Sequence, residues 1–251
     1  MQGQSERLSE NEAVHNAFEY KWLTDEISPL RNPVGENITY AMEKGEQVTP
    51  ETDLLSWINN HALGAACYGH TNLVPSFCRT YTELTGRAVV AVHAAKGSTK
   101  ISDWLVGTPI YRALIQKARG AIQKVNPSRI FFVWLQGESD ALAGTSKETY
   151  KTAWKTLCKA LKNDVGIEHF GIIRVGRFTN DERDLEIIAA QDEVCSENEA
   201  FSMLTTIATE LNTQSDCMHP RIRGHYSATG LEQLGQSAAE GLCDLFKDSS
   251  T

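Results

Sequence analysis

Three short stretches of this chain hold the residues best able to do chemistry. Gln136, Gly137, Glu138, Ser139 and Asp140 place an amide, a bare backbone position and two carboxylates in one run. Far along the chain, SDCMHPRIRG brings Asp216 and His219 within one turn, followed by Pro220, Arg221, Arg223 and Gly224. Ser5 stands almost at the first residue, after Gly3 and Gln4. A serine hydroxyl becomes reactive only when a base accepts its proton, and an imidazole held by a carboxylate is such a base. Ser5, His219 and Asp216 are therefore candidates for nucleophile, base and orienting carboxylate if the fold brings them together. Glu138 and Asp140 fit another chemistry, glycoside hydrolysis by an acid and a nucleophile. Read singly, each stretch is also what a strand followed by a polar turn, or a loop with a surface histidine, looks like.

Composition narrows the classes. The chain has 251 residues, 41% of them hydrophobic, enough for one domain with a single core. A net charge of -8 and the absence of any Lys/Arg block argue against a nucleic-acid partner. No apolar run reaches the roughly 18 residues of a membrane span. The first twenty residues hold no apolar signal core, which favours a cytoplasmic location. Six cysteines are scattered without a CxxC pair and read as reduced thiols. The seven histidines show no HExxH and no zinc spacing, so no metal site is expected.

The elements that must position these residues follow from hydrophobic period. IFFVWLQ at Ile130 to Gln136 carries three aromatic and two β-branched residues, the pattern of a strand buried on both faces. Gln136 to Asp140 then fall at its carboxyl end, where ligands bind in open parallel sheets. Further strands are expected at Ala88 to His93, Phe170 to Val175 and Phe201 to Thr206. Helices are expected near Asp53 to Ala62, Val74 to Leu84, Pro109 to Val125, Thr149 to Leu161, Asp181 to Val194 and Ser227 to Phe246, from apolar residues three and four apart. Residues 6–50 are polar and punctuated by Pro29, Pro33, Gly35 and Gly45. They read as an irregular arm or lid with a short helix near Glu12 to Tyr20, anchored by Phe18, Tyr20 and Trp22. Strand and helix alternate beyond this arm, which implies a single domain in three α/β/α layers with at least four parallel strands.

Four blocks in order complete the picture: GQS at Gly3 to Ser5, KGSTKISDW at Lys96 to Trp104, WLQGESD at Trp134 to Asp140, and DCMHP at Asp216 to Pro220. Together they resemble the SGNH-hydrolase superfamily, and within it the sialate O-acetylesterase and acetylxylan-esterase-like branch. The resemblance implies a flavodoxin-like fold with a mainly parallel central sheet, and a serine esterase that removes O-acetyl groups from a carbohydrate. It implies that Ser5 is the nucleophile, His219 the general base and Asp216 its orienter. The backbone N–H groups of Ser5 and Gly97 and the side-chain amide of Gln136 would form the oxyanion hole. Glu138 and Asp140 would support the loops, and Arg221 or Arg223 would suit an anionic sugar's carboxylate. No metal or organic cofactor is implied, and the oligomeric state is not.

Two departures accompany the match. Glu6 stands where the family block GQSN has Asn, setting a carboxylate directly after Ser5. No apolar run precedes Gly3, so the central strand that delivers the nucleophile in this superfamily must come from preceding residues or from a rebuilt sheet. The alternatives kept beside the esterase are a carbohydrate-binding protein that shares the cleft without its catalytic geometry, and a glycoside hydrolase built on Glu138.

Overall fold

The computed structural model describes residues 12–22, 24–32, 34–35, 71–220 and 222–247. The helix expected at Asp53 to Ala62 lies outside them, as do Ser5, Glu6 and Arg221. Where the irregular arm with a short helix was expected, the chain forms a hairpin of β1 (Ala17–Lys21) and antiparallel β2 (Glu26–Pro29), turned through Asp25 at φ 52. The reason is non-local. Helix α1 (Val74–Thr85) leads into β3 (Val89–Ala91), which pairs in parallel with β1 some seventy residues back. Tyr20 anchors the hairpin as expected, lying against Gly120, where any Cβ would come within 2.2 Å of its hydroxyl oxygen.

A 3₁₀ turn at Ile101–Trp104 follows β3, then helix α2 (Pro109–Val125). The helix begins with Pro109 at its first positions and Thr108 accepting the Tyr111 amide at 3.1 Å, and it ends on left-handed Asn126. Beyond it come β4 (Phe131–Trp134), the short helix α3 (Glu138–Ala143), α4 (Lys147–Val165), β5 (His169–Ile173), α5 (Glu182–Glu197), β6 (Phe201–Thr205), α6 (Ala208–Leu211) and α7 (Ala228–Lys247). All four expected parallel strands are present, divided between two sheets of order β2-β1-β3 and β4-β5-β6.

The period-two alternation of the strands builds the layers. Phe132, Trp134, Phe170 and Ile172 face a core shared with α2, α4 and α5; Phe131, Val133, Ile173 and Leu204 face a second core under α1 and α7. In the first core Trp154 is fully buried, with ring centroids of Phe132, Trp134, Phe170 and Phe201 5.9 to 6.3 Å from its own. β4 thus runs between two cores, but only Trp134 is fully buried. Phe131, Phe132 and Val133 are half-buried, because among the described residues β4 has a strand, β5, along one edge alone.

Helices α4 and α5 are clasped by charge. Lys151 donates to Glu193 at 2.6 Å and Glu197 at 2.8 Å, and Lys155 also pairs with Glu197. Hydrogen bonds from Lys151 and then Lys155 lower the Glu197 carboxyl from 4.5 to about 2. A carboxyl depressed in the folded state stabilises fully above its unfolded value and loses that contribution as the pH falls through its folded value. The melting-temperature difference between wild type and Glu197→Gln is therefore expected to be constant above about pH 5 and to vanish toward pH 2. A difference independent of pH in thermal scans would show that the clasp contributes nothing through ionisation.

Candidate active site

The carboxyl ends of β3 and β4 are joined by a buried polar network. Gln136, 1% exposed, donates through Nε2 to the Thr99 carbonyl at 2.9 Å and to Asp140 Oδ2 at 2.6 Å. The same Asp140 oxygen accepts the Ile101 amide at 2.8 Å. Thr99 Oγ1 donates to the Lys96 carbonyl at 2.8 Å and accepts the Trp104 indole N–H at 3.0 Å. The loop from Lys96 to Trp104, with exposed Gly97 at its turn and Ser98 at φ 60, is thereby fastened to the end of β4 from two sides.

The loop before α7 comes to the same end of the sheet. Met218 and Tyr226 form a bridge, and the His219 amide donates to the His225 carbonyl at 2.8 Å. Gly224, at φ 75, lies on the Phe178 ring, which a Cβ would meet at 2.1 Å. Phe178 belongs to the segment after β5, so this contact seats the loop over that strand's carboxyl end. Burial, and then the nearby Glu138 carboxylate, raise the Tyr226 phenol above its ordinary range. Glu138 opens α3 directly after β4. Gln136 and His219 stand at the same end of the sheet.

Within this frame the expected residues take different places. His219 is buried at 6% exposure, and its Nδ1 accepts the Ile222 amide at 2.9 Å. Asp216 is exposed, its carbonyl accepts from Ser227 Oγ at 2.6 Å, and its carboxylate makes no hydrogen bond to His219. The expected Asp216–His219 pair is thus not formed in this conformation, because the Ile222 amide takes the imidazole nitrogen Asp216 would need. Gln136 also differs from expectation. Both its amide hydrogens are spent, on Thr99 and Asp140, so it braces the Gly97 loop instead of facing an open crevice. Asp140 holds the backbone amide of Ile101. Arg223 is exposed and reaches the Thr179 carbonyl at 3.4 Å.

Three residues of the site were not singled out in the sequence as functional. Tyr150 Oη, fully buried, donates to the Gln136 carbonyl at 2.8 Å and accepts the Trp134 indole N–H at 3.1 Å. Gln191, also fully buried, contacts both Gln136 and Tyr150. Phe178 is the third. Gln191 left a signal: it is an amide in an apolar helical stripe with Ile187, Ala190 and Val194. Tyr150 reads as an ordinary core aromatic, and Phe178 has no local pattern at all.

Comparison with known proteins fits this arrangement. Residues 62–244 match the family described as carbohydrate esterase, sialic acid-specific acetylesterase. A stretch of 92 residues is 30% identical to the probable carbohydrate esterase At4g34215 of Arabidopsis thaliana, covering 36% of this chain and 35% of that protein, so the match spans about a third of the curated relative's length. The solved structure of the Arabidopsis thaliana protein AT4G34215 superposes with a TM-score of 0.64 at 16% identity, over 93% of this chain and 83% of that one. The crystal structure of NanS superposes with a TM-score of 0.62 at 12% identity, over 96% and 91%. These likenesses show a common α/β/α fold.

Proposed function

Because this chain belongs to the carbohydrate esterase family of sialic acid-specific acetylesterases, we propose that it removes O-acetyl groups from a carbohydrate through an acetyl-enzyme on Ser5. The observation that supports the reading is that the Gly97 loop is fastened at the carboxyl end of β4 and the loop of buried His219 is seated on Phe178 beyond the carboxyl end of the neighbouring strand β5. In this reading His219 Nε2 takes the Ser5 proton as the hydroxyl attacks the acetyl carbonyl, then returns it to the departing sugar oxygen. That tautomer requires a hydrogen on Nδ1. The bond now accepted from the Ile222 amide must therefore be exchanged, on substrate binding, for one donated to Asp216. The negative oxygen of the tetrahedral intermediate falls to the backbone N–H groups of Ser5 and Gly97. Gln136 serves that hole by holding the Gly97 loop. Water then removes the acetyl group from Ser5, with His219 acting again as base.

The family description supports an anionic, sialate-type sugar, and Arg221 and Arg223 are the cations beside His219 in sequence suited to its carboxylate. Acetate release is compared on O-acetylated sialic acid and on acetylated xylo-oligosaccharides, for wild type, Arg221→Ala and Arg223→Ala. The expected result is a preference for the sialate, with at least one substitution raising its KM about tenfold and leaving the neutral substrate unchanged. Strong xyloside turnover untouched by both substitutions would reject carboxylate recognition.

A further inference from the structure

Gln191 lies on α5, yet every polar atom of its side chain is committed to the ends of two strands. Its Oε1 accepts the Val175 amide at 2.9 Å, just beyond β5. Its Nε2 donates to the Gln136 carbonyl at 2.8 Å and to Tyr150 Oη at 3.1 Å. Tyr150 in turn reaches Gln136 Oε1 at 3.2 Å. The two acceptors beside the side-chain nitrogen of Gln136 fix which way its amide faces. With Oε1 toward Tyr150, Nε2 faces the Thr99 carbonyl and Asp140 Oδ2; a flipped amide would set oxygen against two acceptors. Gly137 leaves space for the arrangement: at φ 152, a Cβ there would come within 2.7 Å of Ile187 and 3.3 Å of Gln191 Nε2.

We propose that Gln191 is a positioning residue for the esterase reaction, setting the Gly97 loop through Tyr150 and the Gln136 amide. The inference rests on the esterase reading for its catalytic consequence, but the coupling to the loop stands on the hydrogen bonds alone. Gln191 does not touch the reacting atoms. It acts at a distance because the buried groups of this network satisfy one another, and losing Gln191 Nε2 removes a donor from both the Gln136 carbonyl and Tyr150. A shift of about an angstrom in the loop is enough to cost roughly a hundredfold in rate.

The test uses the full chain with Gln191→Met, which keeps the volume, and Gln191→Glu, which keeps the acceptor for Val175 but loses the donors. On p-nitrophenyl acetate both are expected to lower kcat about a hundredfold with KM within about twofold. The ratio of Gln191→Glu to wild-type kcat is expected to rise as the pH falls, since a protonated carboxyl again donates to the Gln136 carbonyl. A purely structural role would not produce that recovery. Amide exchange at Ile101 and at the Trp104 indole, followed by NMR, is expected to quicken in both variants. Wild-type kcat in either folded variant, or loop exchange unchanged from wild type, would overturn the proposal. If Gln191→Met fails to fold, Gln191→Glu decides. Should the wild type release no more acetate than Ser5→Ala, the esterase reading falls separately, and loop exchange alone still supports or overturns the coupling.

Discussion

Ser5→Ala is expected to reduce acetate release from p-nitrophenyl acetate by about ten-thousandfold or more while the protein stays folded. Without the hydroxyl no acetyl-enzyme forms, and only the binding and oxyanion contributions remain. His219→Ala should cost about as much, because the hydroxyl is a poor nucleophile when nothing accepts its proton. The double variant should be scarcely worse than either single one, since the two residues act as a unit. Asp216→Asn carries separate information. Asp216 makes no bond to His219 in the conformation described, so a large fall in its kcat would show that the two meet during turnover. Near-UV circular dichroism and melting temperature establish that each variant is folded. An unchanged rate in folded Ser5→Ala protein would remove Ser5 as the nucleophile and with it the proposed mechanism.

The second large effect is expected in stability. Asp140→Ala should cost about 3 to 5 kcal/mol, lowering the melting temperature by roughly 10 °C. Asp140 is 1% exposed, and its Oδ2 accepts both the Ile101 amide and the Gln136 side chain. Alanine leaves those two donors buried without an acceptor, each costing about 1 to 3 kcal/mol. Asp140→Asn separates charge from geometry. Both bonds converge on a single oxygen, which an asparagine carbonyl can supply, so this variant should retain the loop and lose only about 1 to 2 kcal/mol. Equal destabilisation by alanine and asparagine in denaturant titrations would show that the negative charge, not the shared acceptor, is what the site requires.

Elements governed by local signals were legible in the sequence. Helix α2 shows this: Pro109 in the first turn and Ile110, Leu114, Ala118, Ile122 and Val125 at helical spacing mark it from Pro109 to Val125, all within one short window. The four parallel strands and the long helices were legible for the same reason, although their ends shifted by a few residues. The hairpin was not. Whether AFEYK is a strand depends on β3, a partner some seventy residues away, and local composition is silent about a partner. Helix α3 was hidden likewise, because Gly137 at φ 152 starts it from a turn that reads as polar loop.

The site divides along the same line. The sequence by itself determined which residue types are present and in what order: Ser5, the Gly97 loop, Gln136 with Glu138 and Asp140, then Asp216 and His219, together with the carbohydrate esterase family they signal. Tertiary structure alone decided what each side chain does. Asp216 and His219 are three residues apart in any reading, but the Ile222 amide, not that spacing, determines the partner of Nδ1. Gln136 offers two hydrogens to whatever lies near, and the fold spends both on Thr99 and Asp140. Gln191 is a lone amide in an apolar stripe until α5 packs against the ends of β4 and β5. Hydrogen bonds are short and directional, so their partners are set by placement to within a few tenths of an ångström. Order along the chain carries no such information for groups dozens of residues apart.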